Sequence, residues 1–412
     1  MLGLGILQVD PWGSLPQDTG LDCNWMKRQV PTREENGGKH EYPLRKLALS
    51  IVFLLTTSRL FPAQNDSGKF EDLARSAAAA RDARDVPRAI ALYSKTVQLN
   101  PKWPDGWWFL GVLQYGSDEY ALARDALTRY IDLTPHAGPA TALRGLCEFE
   151  TGEYTESLQD IQLGLLWGAD NQPRNQQILR YHEGMLLTLK GKFESALQSY
   201  AVLVHAGTLK PEMLAALGLA GLRTSLLPKD IEPAQQDLFM TAGYAASRVI
   251  AGDQNDAKQA FQRLFQRFPT VANAHYLYGY LLFATDLDQA LTEFKQELEV
   301  SPDNPNAQAM LAWAFLLQSR PSDALPYAKR AADEEAKLPL AQLVVGRSLV
   351  ETGSLSDGIA HLEMALHLEP DNLETHLALA SAYAKSGRRE DARRERLLCL
   401  QLTKEPTPIA QP

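Results

Sequence analysis

The chain reads as an all-α solenoid of about ten stacked helix-turn-helix pairs, and three observations predict it. Pro101 and Pro135 stand 34 residues apart, and Pro269, Pro302 and Pro370 close later copies of the same frame. Within each copy a glycine, an alanine and an aromatic or leucine return at fixed offsets: Gly184, Gly191, Phe193, Ala196 and Tyr200, then Gly252, Ala257 and Phe261, then Gly346, Gly353, Leu362 and Ala365. The 412 residues, 45% hydrophobic and 22% charged, have ordinary globular composition, which excludes wholesale disorder and a polytopic membrane protein. One helix pair cannot bury its apolar face alone, so the pairs must stack into a continuous superhelix. An antiparallel bundle would not require Gly, Ala and Pro to return at one spacing.

Taken in order, residues 1–63 come first: a polar stretch, then Arg45 and Lys46, then an apolar run over 47–55 ended by Arg59 and Pro62. The run falls well short of the roughly 20 residues that a spanning helix needs and suits the h-region of a signal peptide. Export to the periplasm is the expectation, with inner-membrane anchoring or a cytoplasmic location as the alternative. Cleavage after Ala63 is imperfect because Phe61 stands where a small residue is preferred, and Met26 is an alternative start.

Residues 64–226 carry the N-terminal repeats. The first starts near Phe70, with Ala89, Tyr93 and Pro101; the next holds Trp107, Leu110, Gly111, Tyr120, Ala123, Leu127 and Tyr130. Trp107 and Leu110 share one helical face and are expected in the core, with Ala123 and Leu127 facing them. Further copies start near Gly138, with Gly145, Gly152 and Tyr154, and near Gly184, and a degenerate unit spans Pro211 to Gly221. Residues 227–237, with Pro228 and Pro233, break the pattern, either as a bend or as a shortened helix. Residues 238–405 carry the C-terminal repeats, including copies near Ala272, Pro305 and Leu373 and a capping helix over 397–403. Pro326 is expected to shift or kink its helix. Residues 406–412 form a Pro-rich, loose tail.

The order Trp107, Leu110-Gly111, Tyr120, Ala123, Leu127 and Pro135 resembles the tetratricopeptide repeat family, and the likeness covers nearly everything after residue 63. It implies a right-handed α-solenoid and a non-catalytic scaffold that binds a protein or peptide partner. It also implies a concave groove, lined by a second stripe on the first helices of the pairs. Here that stripe holds Trp108, Tyr115, Phe149, Tyr181, Tyr276, Tyr280, Phe283 and Trp313. Aromatic anchors of this kind make binding hot spots, although a tightly wound superhelix would bury the same residues as inner core. Lys, Asn and Arg, which grip a C-terminal carboxylate in some relatives, are replaced by Val112, Met185 and Tyr280, so an apolar, aromatic or Pro-rich segment fits better. The alternative is an enzyme-associated or carbohydrate-binding module of the envelope, in which the aromatics stack on sugar rings.

Chemistry finds no constellation. His182-Glu183 starts like a zinc-protease helix, but Leu186 stands where the second His is required. His361, His367, Glu369, Asp371 and His376 are spread over a helix end, a turn and the next helix. Cys23, Cys147 and Cys399 form no Cys-x-x-Cys pair, and no phosphate-binding or nucleophile-elbow motif occurs. With a net charge of −9 and no basic run longer than that around Arg393, Arg394 and Arg396, nucleic acid is not expected as a partner. No cofactor, no metal and no enzymatic activity are expected.

Overall fold

The computed structural model describes residues 64–403, so the segment expected to be a signal peptide and the Pro-rich tail lie outside the described residues. Among these residues every regular element is helical, nineteen α-helices and one 3-10 turn. Two compact units divide between Ser117 and Asp118. The first holds α1 (Gln64–Asp82), α2 (Val86–Leu99) and α3 (Pro104–Tyr115). The second begins with α4 (Tyr120–Leu133), α5 (Gly138–Thr151), α6 (Tyr154–Leu166), α7 (Pro173–Leu189), α8 (Phe193–His205) and α9 (Pro211–Gly221). It continues with α10 (Gln236–Ile250), α11 (Gln254–Arg267), α12 (Ala274–Leu282), α13 (Leu287–Val300), α14 (Pro305–Leu317) and α15 (Pro321–Glu334). It ends with α16 (Pro339–Glu351), α17 (Leu355–Leu368), α18 (Leu373–Lys385) and α19 (Arg389–Leu402).

Local chemistry sets these boundaries. Asp85, Asp253, Asp286, Asn304 and Asn372 each accept a hydrogen bond from a backbone N–H in the first turn of the helix that follows. Proline opens α3, α7, α9, α14, α15 and α16, where its fixed φ suits the first turn and its missing N–H leaves nothing unpaired. Pro326 lies inside α15, which runs on through it to Glu334. It sits within the second turn, where only one intrahelical bond is lost.

The repeat period is visible in the hydrogen bonds. The Gln308 and Gln342 amides donate to the carbonyls of Pro302 and Ala336 at 2.8 and 2.9 Å, and His376 Nε2 lies 2.8 Å from Pro370 O. Each pair is six residues apart, and the three side chains follow one another at the repeat spacing. The side chain thereby ties each first helix to the turn before it, satisfying a carbonyl that the preceding helix leaves open.

Trp107 uses the same device, its indole N–H donating to Pro101 O at 2.9 Å, and this corrects its expected place in the core. Leu110 is buried, whereas Trp107 is half-exposed. A polar ring nitrogen bound to a surface turn holds the indole at the rim. In the first unit the central aromatics are Tyr93 and Trp103, stacked at 6.0 Å, with Phe70 edge-on to Trp103 at 5.3 Å.

One junction in the second unit departs from the helix-pair rule. After α9 the chain forms no second α-helix; residues 222–235 hold only the 3-10 turn Pro228–Asp230, and α10 packs directly on α9. A Cβ on Gly218 would lie 1.9 Å from the Phe239 carbonyl oxygen, and one on Gly243 would lie 1.9 Å from that of Leu214. The two antiparallel backbones touch through these glycines, a closeness that any side chain would prevent.

Candidate functional site

The aromatic stripe divides into a buried part and an open part. Tyr276 and Tyr115 are 5% and 6% exposed, so both are inner packing and not accessible anchors, which corrects the reading of them as groove residues. The reason is clearest at Tyr276. The first helix of a pair is covered on one side by its own second helix and on another by the preceding unit. The Tyr276 ring packs on Phe294 of its own second helix at 5.9 Å, and its hydroxyl donates to Glu194 Oε1 of α8, some 80 residues earlier, at 3.0 Å. Arg223, in the turn after α9, also bonds Glu194, donates to Asn306 Oδ1 at 3.1 Å, and stacks its guanidinium over Tyr276 at 5.2 Å. Its backbone holds φ at 54°, a left-handed conformation that costs a non-glycine residue about 1–2 kcal/mol. The network recovers that cost through one charged pair, two hydrogen bonds and a cation–π contact. The Arg223 turn, just before the Pro-containing break, is therefore tied to α8, α12 and α14.

The other stripe residues are half-buried. Tyr280 stacks on Tyr276 at 6.2 Å, and burial pushes its phenol up to about 12. Phe283 packs on Phe294 at 6.2 Å. In the upstream repeats Phe149 packs edge-on to His182 at 4.8 Å, and Tyr181, its pKa also raised to about 12 by burial, packs against His182 and Tyr200. Trp108, in the first unit, is half-exposed.

Trp313 is different, because the surface next to it is open. The Arg347 guanidinium lies 4.9 Å above its ring and 3.6 Å from Glu351. Next along the stack, α16, α17 and α18 enclose a shallow cleft of about 200 Å³ lined by Arg347, Val350, Glu351, Leu362, Glu374, Leu377, Ala378, Ser381 and Lys385. Leu377 is 46% exposed on its wall. Trp313, Arg347 and Ser381 are successive occupants of one position in the repeat frame, 34 residues apart, on α14, α16 and α18. A search for aromatics alone finds Trp313 and misses the other two. The period itself could have found them.

Three histidines of the described residues serve packing. His182 is buried beside the Ile178 carbonyl, 2.8 Å from its Nδ1, and burial lowers its pKa. His361 Nδ1 pairs with Gln342 Oε1 at 2.7 Å, and His376 Nδ1 with Glu395 at 2.6 Å. Among the described residues no three His, Cys, Asp or Glu side chains converge as metal ligands, and no helix is long and apolar enough to cross a membrane.

Helix pairs that recur at one period, with the same side-chain tie to the preceding turn in four of them, define the helical-repeat class. Sequence profiles described as tetratricopeptide repeat match residues 75–139, 118–173, 280–339 and 349–395. The chain belongs to the tetratricopeptide repeat family. It is also 23% identical over 312 residues to the Protein CTR9 homolog of Arabidopsis thaliana, matching 74% of this chain and only 26% of that protein's length. Among solved structures it is similar to YrrB, described as a TPR protein with an unusual peptide-binding site (19% identity, 44% of this chain and 94% of that one, TM-score 0.35). It is similar too to MamA from Desulfovibrio magneticus (16% identity, 41% of this chain and 97% of that one, TM-score 0.36).

Proposed function

We propose that this chain is a non-catalytic scaffold that holds a polypeptide segment of its partner on the inner surface of α14, α16 and α18, and that it does so in the cell envelope after export. One observation carries the binding surface: the row Trp313, Arg347 and Ser381, opening on a cleft with an apolar floor at Val350, Leu377 and Ala378 and charged rims at Glu351 and Lys385. An extended peptide offers what such a surface takes, an apolar side chain for the floor and backbone amides for the polar rim. The sugar-binding alternative is less favoured because Arg347 already stacks on the Trp313 face that a pyranose ring would need. Export rests on Arg45, Lys46 and the apolar run over 47–55.

The test is capture of partners from envelope extract by the full chain and by a Trp313→Ala, Leu377→Asp double variant. Half-exposed side chains can be replaced without collapse, so the variant should keep its helical melting curve and lose the captured proteins, a hot-spot pair being worth at least about 2 kcal/mol. Unchanged capture would move the binding surface elsewhere. Fractionation of the same cells checks export, for which an uncleaved, cytosolic full-length chain is the contrary result.

A further inference from the structure

We propose that residues 225–233 are an intrachain strap that lies along the turns of the upstream repeats as a bound peptide would, and that a free peptide of the same sequence can take its place once the strap is loosened. The inference rests on the reading of the first-helix stripe as a polypeptide-binding surface and adds its regulation.

After the Arg223 turn the chain does not enter a second helix but runs back along the row of turns that join first to second helices. Ser225 lies beside Gly191 in the α7–α8 turn, with its Oγ 3.9 Å from where a glycine Cβ would stand. Lys229 Nζ reaches the Tyr154 hydroxyl at 3.5 Å at the start of α6, one repeat further back, and its charge partly offsets the rise that burial gives the pKa of nearby Glu150. Leu227 and Ile231 hold extended backbone, with ψ of 152° and 125°, on either side of the turn Pro228–Asp230. They are 2% and 8% exposed and belong to the buried core against which Phe149, Tyr154, Leu158 and Tyr181 pack.

These are the features of a peptide ligand. The backbone is extended, two prolines at 228 and 233 lower the entropy lost on ordering, apolar side chains point into the core, and a lysine sits on a rim phenol. Phe149 and Tyr181 of the stripe pack on the same buried cluster that Leu227 and Ile231 help to build, while the cleft at α16 and α18 stays open. Because the segment is tethered at both ends, it competes at an effective concentration on the order of millimolar, and a micromolar peptide from outside will not displace it.

The experiment uses the full chain and a synthetic peptide of residues 224–234, labelled for fluorescence anisotropy. Leu227→Ser with Ile231→Ser removes the strap's hold without touching Phe149, Tyr154 or Tyr181. The variant should bind the peptide at least about tenfold more tightly than the unaltered chain does, since an occluded site loses affinity in proportion to its occluded fraction. Amide hydrogen exchange over residues 225–233 should rise while that of α5 and α7 is retained. A loosened strap with no gain in peptide binding overturns the proposal. So does equal binding to both chains. Should the double variant fail to fold, replacement of residues 225–233 by a Gly/Ser linker of equal length gives the same two readouts. Failure here leaves capture of partners by the Trp313 cleft intact, whereas failure of that cleft leaves the anisotropy result to stand alone.

Discussion

At the residue scale, burial decides roles that the sequence leaves open. Tyr276 and Tyr280 lie one helical turn apart on one stripe, yet only Tyr276 is sealed, because α8, some 80 residues earlier, and the Arg223 turn, some 50 residues earlier, approach it. Local periodicity carries no information about such a neighbour, and for that reason the aromatic stripe was legible while its division into core and surface was not. Glu148 of α5 gives the residue-scale prediction. It is buried, its Oε2 makes no hydrogen bond within the protein, and the nearest cation, Arg144 at 3.9 Å, is committed to a bidentate pair with Asp160. Burial, reinforced by the Asp160 charge, pushes its carboxyl from 4.5 up to about 7. An acid held above its unfolded value binds its proton more tightly when folded, so the stability it contributes is complete below pH 4.5 and is lost as the pH rises through about 7. Glu148→Gln keeps the neutral form at every pH. Thermal melting of the two proteins should therefore coincide near pH 4 and separate near pH 8, with the Gln variant the more stable by on the order of 2–3 kcal/mol. Equal melting at both values would show that Glu148 reaches water.

At the element scale, the prolines that close successive copies and the Gly and Ala that return within them made the helix-pair architecture readable with no structure at all, while the Asp and Asn caps emerged only with the structure. The junction of α9 with α10 was not, since a missing second helix looks in sequence only like a Pro-containing interruption. A signal was present in the small-residue clusters around Gly218 and Gly243, which place two glycines where backbones can meet. The consequence is sharp. Gly218→Ala would put its methyl 1.9 Å from the Phe239 carbonyl, and backbone cannot yield as a side-chain tip does. The substitution should destabilise the second unit by about 3 kcal/mol, at the upper end of overpacking effects, although alanine is the better helix former. Gly68→Ala in α1 is the control: its Cβ meets nothing within 4 Å, so the better helix former should leave stability unchanged or slightly raised. Urea denaturation of both variants checks the pair, and a Gly218→Ala protein as stable as the unaltered chain would mean that α9 and α10 are not in backbone contact.

At the scale of the whole molecule, a stack held by neighbours should be divisible, but the structure says where. The period alone suggests cutting before Gln236, since a new first helix starts there. That cut strips α9 from α10 and leaves Phe239, Ala242, Gly243 and Ala246, all buried in the chain, without their cover. A cut before Thr270 severs less: the stacking of Phe261 on Tyr278 at 4.1 Å and of Phe265 on His275 at 3.8 Å, and the polar ties of Tyr276, Asn273 and Asn306 to earlier repeats. The start of α12 stays capped from within the fragment, because Glu297 accepts the backbone N–H groups of Asn273 and Tyr276 at 2.7 and 3.2 Å. Residues 270–403 retain four helix pairs, above the three or so that a repeat stack needs. This fragment should unfold cooperatively in urea and keep the Trp313 cleft active in partner capture. The longer fragment 236–403 should be no more stable and should self-associate through its bared α10 face, whereas extension to residue 207, which restores α9 and the tie of Arg223 to Asn306, should raise stability again. A steady gain with every added helix, with no dip at 236, would show that α10 packs as an ordinary first helix and that the glycine crossing contributes nothing to the stack.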